Sequence, residues 1–144
     1  MVGPPIQPQR HGDTEQMLDD KLTQRIIRLA IDVHTALGPG LLESVYEAAL
    51  CMEFEAAGVQ FQRQLILPVV YKTRLIGEYR LDLLVEDSVV VEIKSVERVD
   101  AVFYAQLLTY PRITGKRIGL LINFNSPLLK AGIRRLILDP APRL

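Results

Sequence analysis

The sequence predicts an α+β (α/β) domain built on a central mixed β-sheet flanked by helices. Two segments of apolar residues at helical spacing come first, and three short apolar runs separated by turn residues follow. A third helical segment then separates those runs from a further apolar strand. The resulting order ααβββαβ gives strands joined by tight turns and a last core strand reached through a helical crossover, which is how a mixed sheet arises.

Taken in order, residues 1–20 hold three of the nine prolines and a cluster of polar groups without apolar periodicity, so they read as a flexible N-terminal leader. The leader lacks the apolar central run of a signal peptide. Residues 21–144 form the single domain. Thr23 is placed to cap a helix carrying Ile26, Ile27, Ala30, Ile31, Val33 and Leu37, which ends at Gly38-Pro39-Gly40. A second helix runs from about Leu42 to Ala57, with Gly58 as its C-terminal stop. Val59–Tyr71 is a strand with a break or bulge near Pro68, and Lys72-Thr73-Arg74 turns into a second strand over about Gly77–Val85. Val89–Lys94 is the third strand. From Val99 or Asp100 to Tyr110 the pattern is helical again, and Pro111 predicts that it stops there. Arg117–Asn123 is a short apolar strand, and Ile133–Leu138 is a last strand whose pairing the sequence leaves unassigned.

With 144 residues, 49% of them hydrophobic and 24% charged, the chain has the material for one core. No stretch approaches the roughly 20 apolar residues of a membrane span. The single cysteine excludes an internal disulfide framework and points to a reduced, cytoplasmic setting. Lys plus Arg and Asp plus Glu number 17 each, so there is no global attraction to a polyanion. The segment from Arg112 to Arg135 nevertheless holds six basic residues and no acidic one, and fits either a nucleic-acid contact or a solvated basic face.

The candidate chemistry lies on the hairpin. Asp82 interrupts Leu81–Val85, and Glu92 and Lys94 interrupt Val89–Lys94, where unpaired charges cost several kcal/mol to bury. Glu92 and Lys94 are two apart and share one face, with Ile93 on the other. If Glu86-Asp87-Ser88 is a three-residue turn, Val85 faces Val89 and Asp82 falls opposite Glu92. Two carboxylates so close require that one be protonated, that the lysine offset part of the charge, or that a divalent cation lie between them. Oxygen donors of this kind suit magnesium or manganese, and neither His34 nor Cys51 has a partner at zinc-ligand spacing. An exposed edge-strand ladder of ion pairs is the non-functional alternative.

Two helices supply further groups. Glu43, Tyr46 and Glu47 share one face of the second helix, and Gln106 and Tyr110 share one face of the third. Tyr46 reads as a core aromatic with a satisfied hydroxyl, His34 as a partly buried helix residue, and Cys51 as core.

Gly40-Leu-Leu-Glu43-Ser-Val-Tyr46 resembles the signature of the GxxExxY family, and the resemblance continues through Gln64, Val69-Val-Tyr71, Asp82, Glu92-Ile-Lys94, Gln106, Tyr110 and Gly119–Phe124. That family lies in the PD-(D/E)XK nuclease-like superfamily, which implies a restriction-endonuclease-like sheet and a metal-dependent phosphodiesterase site. By this resemblance Glu43 is the helix acid, Asp82 the metal-binding aspartate, Glu92 and Lys94 the (D/E)XK pair, and Gln106 and Tyr110 the QxxxY element of the exonuclease-like branch. Leu81 stands where the superfamily name has proline. The implied metal ligands for Mg2+ (or Mn2+) are Asp82, Glu92, Glu43 and the Ile93 carbonyl, with Lys94 acting on the attacking water or on the charge of the transition state. The expected function is a nuclease acting on nucleic acid, DNA first, in repair, defence or mobile-element processes. A non-catalytic binding or scaffold module with the same fold, as an oligomer, is the alternative; neutral charge and small size favour a protein partner or self-assembly, whereas the intact Asp82, Glu92 and Lys94 favour activity.

Overall fold

The computed structural model describes residues 11–137. Helix α1 (His11–Leu37) is followed by α2 (Glu43–Ala57), the strands β1 (Phe61–Tyr71), β2 (Arg74–Val85) and β3 (Val89–Lys94), helix α3 (Ala101–Thr114), β4 (Ile118–Asn123), a 3-10 turn at Leu129–Gly132 and β5 (Ile133–Ile137). The five strands form one sheet in the order β1-β2-β3-β4-β5, with β3 pairing parallel to β4 and every other neighbour antiparallel. This is the expected mixed sheet of an α+β domain, and β5, unassigned from sequence, closes the edge beside β4.

Side chains alternate across the sheet and divide the core in two. On one side Val89, Val91 and Ile93 of β3 join Leu120 and Ile122 of β4 beneath Ile26, Ala30 and Val33 of α1 and Tyr46, Leu50 and Phe54 of α2. On the other, Leu84, Val90 and Leu121 meet Leu107 and Tyr110 of α3. Burying each such aliphatic side chain stabilises the fold by about 1.5–3 kcal/mol, which keeps β3 at the centre of the sheet. An exposed edge ladder is therefore excluded for Glu92, which is only 8% exposed.

Two helix boundaries differ from expectation. α1 begins at His11, so residues 11–20 of the expected leader are helical and residues 1–10 lie outside the described residues. Thr23 is accordingly no cap: it sits buried inside the helix, and its hydroxyl has no hydrogen-bond partner among the described residues. α3 passes through Pro111 to Thr114, where the Thr114 hydroxyl donates to the Tyr110 carbonyl at 2.8 Å. One missing N–H costs about 3 kcal/mol in a helix interior, and the buried Leu107 and Tyr110 on that helix outweigh it. Gly58 ends α2 in the left-handed conformation (φ 71°), as expected. The irregularity foreseen near Pro68 is a register shift between Val69 and Val70. No helix among the described residues is long and apolar enough to cross a membrane.

Candidate active site

The β2–β3 ladder pairs Val85 with Val89, Leu84 with Val90 and Leu83 with Val91, then stops at Asp82. Glu86, Asp87 and Ser88 thus form the three-residue turn that sets Asp82 opposite Glu92. Side chains replace the missing ladder bonds. The Ile93 N–H donates to Asp82 Oδ2 at 2.8 Å, and the Asp82 N–H donates to Glu92 Oε1 at 3.3 Å. Each carboxylate therefore occupies the gap between the parting strands.

The break reaches β1 as well. Leu83 and Val85 pack on the α1/α2 side, but Leu81 packs on the α3 side, so the alternation changes face at Asp82. Gln64, between the paired Arg63 and Leu65, changes with it through a positive φ of 54°. A non-glycine residue in that region is held there by its surroundings. Here the Gln64 amide donates to Glu47 Oε1 at 2.7 Å and, at 3.4 Å, to Asp82 Oδ1. Glu47 also accepts from Arg63 Nε at 2.8 Å, so Arg63, Glu47, Gln64 and Asp82 form one chain of polar contacts from α2 to the acid.

Burial dominates the electrostatics. It pushes the Glu92 carboxyl up to about 8, with the neighbouring Asp82 charge adding to the rise. Asp82 is raised for the same first reason, opposed by the Ile93 N–H and reinforced by Glu47. The Tyr110 phenol is raised by burial and then by Glu92 and Asp82, and it donates to the Arg80 carbonyl at 3.3 Å. Lys94 lies near enough to favour ionisation of both acids, but its ammonium sits 4.3 Å from the Phe103 ring centroid and forms no ion pair among the described residues. Ionising both acids in this poorly hydrated cleft is therefore costly without added positive charge, which a hard divalent cation supplies. Among the described residues no three His, Cys, Asp or Glu side chains converge as a ready-made cage. Two carboxylates on a cleft edge nevertheless fit magnesium, which keeps several waters and takes substrate phosphate oxygens to complete its shell.

The expected residues do not all meet. Asp82, Glu92 and Tyr110 come together, Lys94 adjoins them, and Ile93 contributes its N–H to Asp82. Gln106 is exposed on α3 and makes no hydrogen bond among the described residues. Glu43 is exposed and accepts from the Ser95 N–H at 3.3 Å, one residue beyond Lys94. The helix acid coupled to Asp82 is Glu47, one turn further along α2 and buried. Glu47 and Gln64 were detectable as a second acid on the Glu43 face and a polar residue within a strand; only the fold joins them. A cavity of about 590 Å³ lies beside Glu43, Leu42 and Ser95, away from Asp82 and Glu92. Its one titratable lining group is Glu43, so the chemistry is assigned to the acid pair instead.

Tyr46 is a core residue, as expected. Its hydroxyl donates to the Gly38 carbonyl and accepts from the Leu41 N–H at 3.1 Å, while its ring stacks on Phe124 with centroids 4.5 Å apart. The Leu41 carbonyl in turn accepts from the Ser95 hydroxyl. From the other side the Phe124 N–H donates to the Lys94 carbonyl at 2.8 Å, and the Asn123 amide bonds both the N–H and the carbonyl of Val96. The Gly40–Glu43–Tyr46 run thereby fixes the backbone that follows Lys94. His34 is partly buried, its Nε2 2.8 Å from the Ser126 carbonyl, and Cys51 is buried with its thiol pushed up to about 11 by desolvation. Two members of the basic stretch are used elsewhere: Lys116 pairs with Asp87 at 3.2 Å, beyond the end of β3 opposite Lys94, and Arg135 pairs with Asp20.

Compared with known proteins, residues 20–136 match the PD-(D/E)XK nuclease superfamily. No curated protein matches the chain.

Proposed function

Because the chain belongs to the PD-(D/E)XK nuclease superfamily, we propose that it is a metal-dependent phosphodiesterase that hydrolyses DNA, in repair, defence or mobile-element biology, and that it is a cytoplasmic member of the GxxExxY branch. The observation that carries this reading is the pair Asp82 and Glu92, held at the break in the β2–β3 ladder with Lys94 beside them.

Asp82, Glu92 and the Ile93 carbonyl would hold Mg2+ or Mn2+, whereas Glu43, bonded to the Ser95 N–H, lies outside this set. The bound ion supplies charge neutralisation at the phosphate and acidification of a water. The protein's own part is positional. The Ile93 N–H and the Gln64 amide fix the Asp82 carboxylate, and Glu47 fixes Gln64. Lys94 holds a proton donor at the cleft, where it orients the attacking water or stabilises the charge that develops on the phosphoryl oxygens. Tyr110 and Phe103 wall the acids from bulk water on the α3 side, and Gln106, exposed one turn before Tyr110, would contact substrate from the solvent side.

Metal binding tests this reading through stability. Magnesium or manganese should raise the melting temperature of the native protein, by about 2.7 kcal/mol of stabilisation at one hundred times the dissociation constant. Asp82→Asn should abolish the rise while leaving a folded protein. Equal shifts in the two proteins would remove Asp82 from the ligand set, and no shift in either would move the chain to the non-catalytic module.

A further inference from the structure

The β1–β2 hairpin is longer than the sheet that supports it. β3 pairs only with Leu83–Val85 of β2, whereas the β1–β2 pairing continues to Tyr71 and Arg74. At the strand rise of about 3.4 Å, the hairpin tip reaches roughly 25 Å past Asp82. Only its first part is covered, where Leu65 and Leu67 pack toward α3. Ile66, between them on the other face, is exposed, and beyond Leu67 so are Val70, Tyr71, Leu75 and Ile76, Leu75 at 60% and Tyr71 at 59%. A two-stranded ribbon with this much apolar surface in water is marginal by itself and marks an interaction surface.

Charge identifies the partner. The chain as a whole is neutral, but from Leu65 to Arg80 the cations Lys72, Arg74 and Arg80 are opposed only by Glu78. All three cations are exposed, and none forms an ion pair among the described residues. Lys72 lies over the Tyr71 ring, 5.4 Å from its centroid. The arm is continuous with the acid site. Tyr79 packs edge-on against Tyr110 with centroids 6.2 Å apart, and Tyr110 bonds the Arg80 carbonyl. By strand alternation Leu67 and Tyr71 share a face, and Tyr79 pairs with Leu67, so Tyr79 and Tyr71 lie in line from the acids to the tip.

We infer that this hairpin is a docking arm for single-stranded nucleic acid, leading the strand from the tip past Tyr71 and Tyr79 to the Asp82/Glu92 cleft. Aromatic and aliphatic side chains interleaved with cations match unpaired bases on a phosphate backbone. A duplex hides its base faces and would leave those apolar side chains exposed. This inference rests on the nuclease reading for its substrate but makes a separate claim about which strand form binds and where.

The test uses the whole protein in chelator, with a labelled 20-nucleotide single strand and the corresponding duplex measured by fluorescence anisotropy over a salt series. The native protein should bind the single strand at least tenfold more tightly than the duplex. Combined Lys72→Ala and Arg74→Ala should weaken single-strand binding and make its log–log salt slope shallower by about 1.4, for two lost phosphate contacts. Tyr71→Ala should weaken it about tenfold with an unchanged salt slope, as expected for one lost stacking contact. Hydrolysis of bis(p-nitrophenyl) phosphate with manganese, a substrate too small to reach the arm, should be the same in all these variants. Equal binding of duplex and single strand, or arm variants that bind like the native protein, would overturn the inference. So would arm variants that change the oligomeric state in light scattering, since the arm would then join copies of the chain. Loss of hydrolysis in the native protein with intact arm-dependent binding would instead overturn the catalytic reading alone.

Discussion

Replacing Glu92 by glutamine should make the metal-free protein more stable at alkaline pH, because Glu92 binds its proton more tightly folded than unfolded. An unfolded glutamate loses its proton near 4.5, and the folded Glu92 at about 8. This contribution to stability is complete below about pH 4.5 and is lost as pH rises through 8. Where only the folded state carries the proton, the loss runs at about 1.4 kcal/mol per pH unit. From pH 5.5 to 7.5 it amounts to about 2–3 kcal/mol for Glu92, and Asp82, raised in the same direction, adds to it. Glu92→Gln keeps the shape and an oxygen to accept the Asp82 N–H, but cannot titrate. Urea unfolding of both proteins in chelator at pH 5.5, 6.5 and 7.5 measures the difference. The native protein should lose 2–3 kcal/mol more than the variant across that range. Parallel pH profiles would refute the claim that Glu92 is held protonated by burial beside Asp82.

The same structure fixes four other expectations. Lys94→Ala should lower nuclease activity at least 100-fold while changing stability by less than about 1 kcal/mol, since Lys94 forms no ion pair among the described residues and loses the Phe103 contact and its longer-range attraction to the acids; urea unfolding beside the cleavage assay reads both. Gln64→Ala frees one side of Asp82 and leaves Glu47 paired with Arg63, so activity should fall about tenfold with magnesium affinity weakened, measured by titration calorimetry. Tyr46→Phe keeps the stack on Phe124 but removes the bonds to Gly38 and Leu41, at a cost of about 1–2 kcal/mol in chemical denaturation. Gly132→Ala drives a Cβ into the Asn123 carbonyl and the Ser126 side chain, and should lower the melting temperature through about 1–3 kcal/mol of overpacking.

Much of the site was legible because strand alternation and turn length together determine register. Glu86-Asp87-Ser88 placed Asp82 against Glu92, and burial of β3 between two layers confirmed that their charges lie inside the domain. The change of face at Asp82 was not legible. It depends on Gln64 adopting a positive φ on a different strand, which period-two patterning cannot register. The choice between Glu43 and Glu47 was similarly hidden, since both lie on one face of α2. The approach of Gln64 ties Glu47 to Asp82, and the turn after Lys94 takes Glu43 to Ser95. α1 began early because Glu15-Gln16-Met17-Leu18 favour helix and acidic residues suit its N-terminal end, although the polar character of residues 11–20 resembles that of a leader. α3 outlasted its proline because tertiary burial outweighs one local signal.

Cleavage of labelled single-stranded DNA, duplex DNA and RNA by the purified protein, with magnesium, manganese or chelator and beside Lys94→Ala, tests the central claim most directly. Cutting that needs the metal and disappears in the variant is the predicted result. Cutting that persists in chelator or in Lys94→Ala, or no cutting of any substrate above the variant's background, would contradict a metal-dependent nuclease built on Asp82, Glu92 and Lys94.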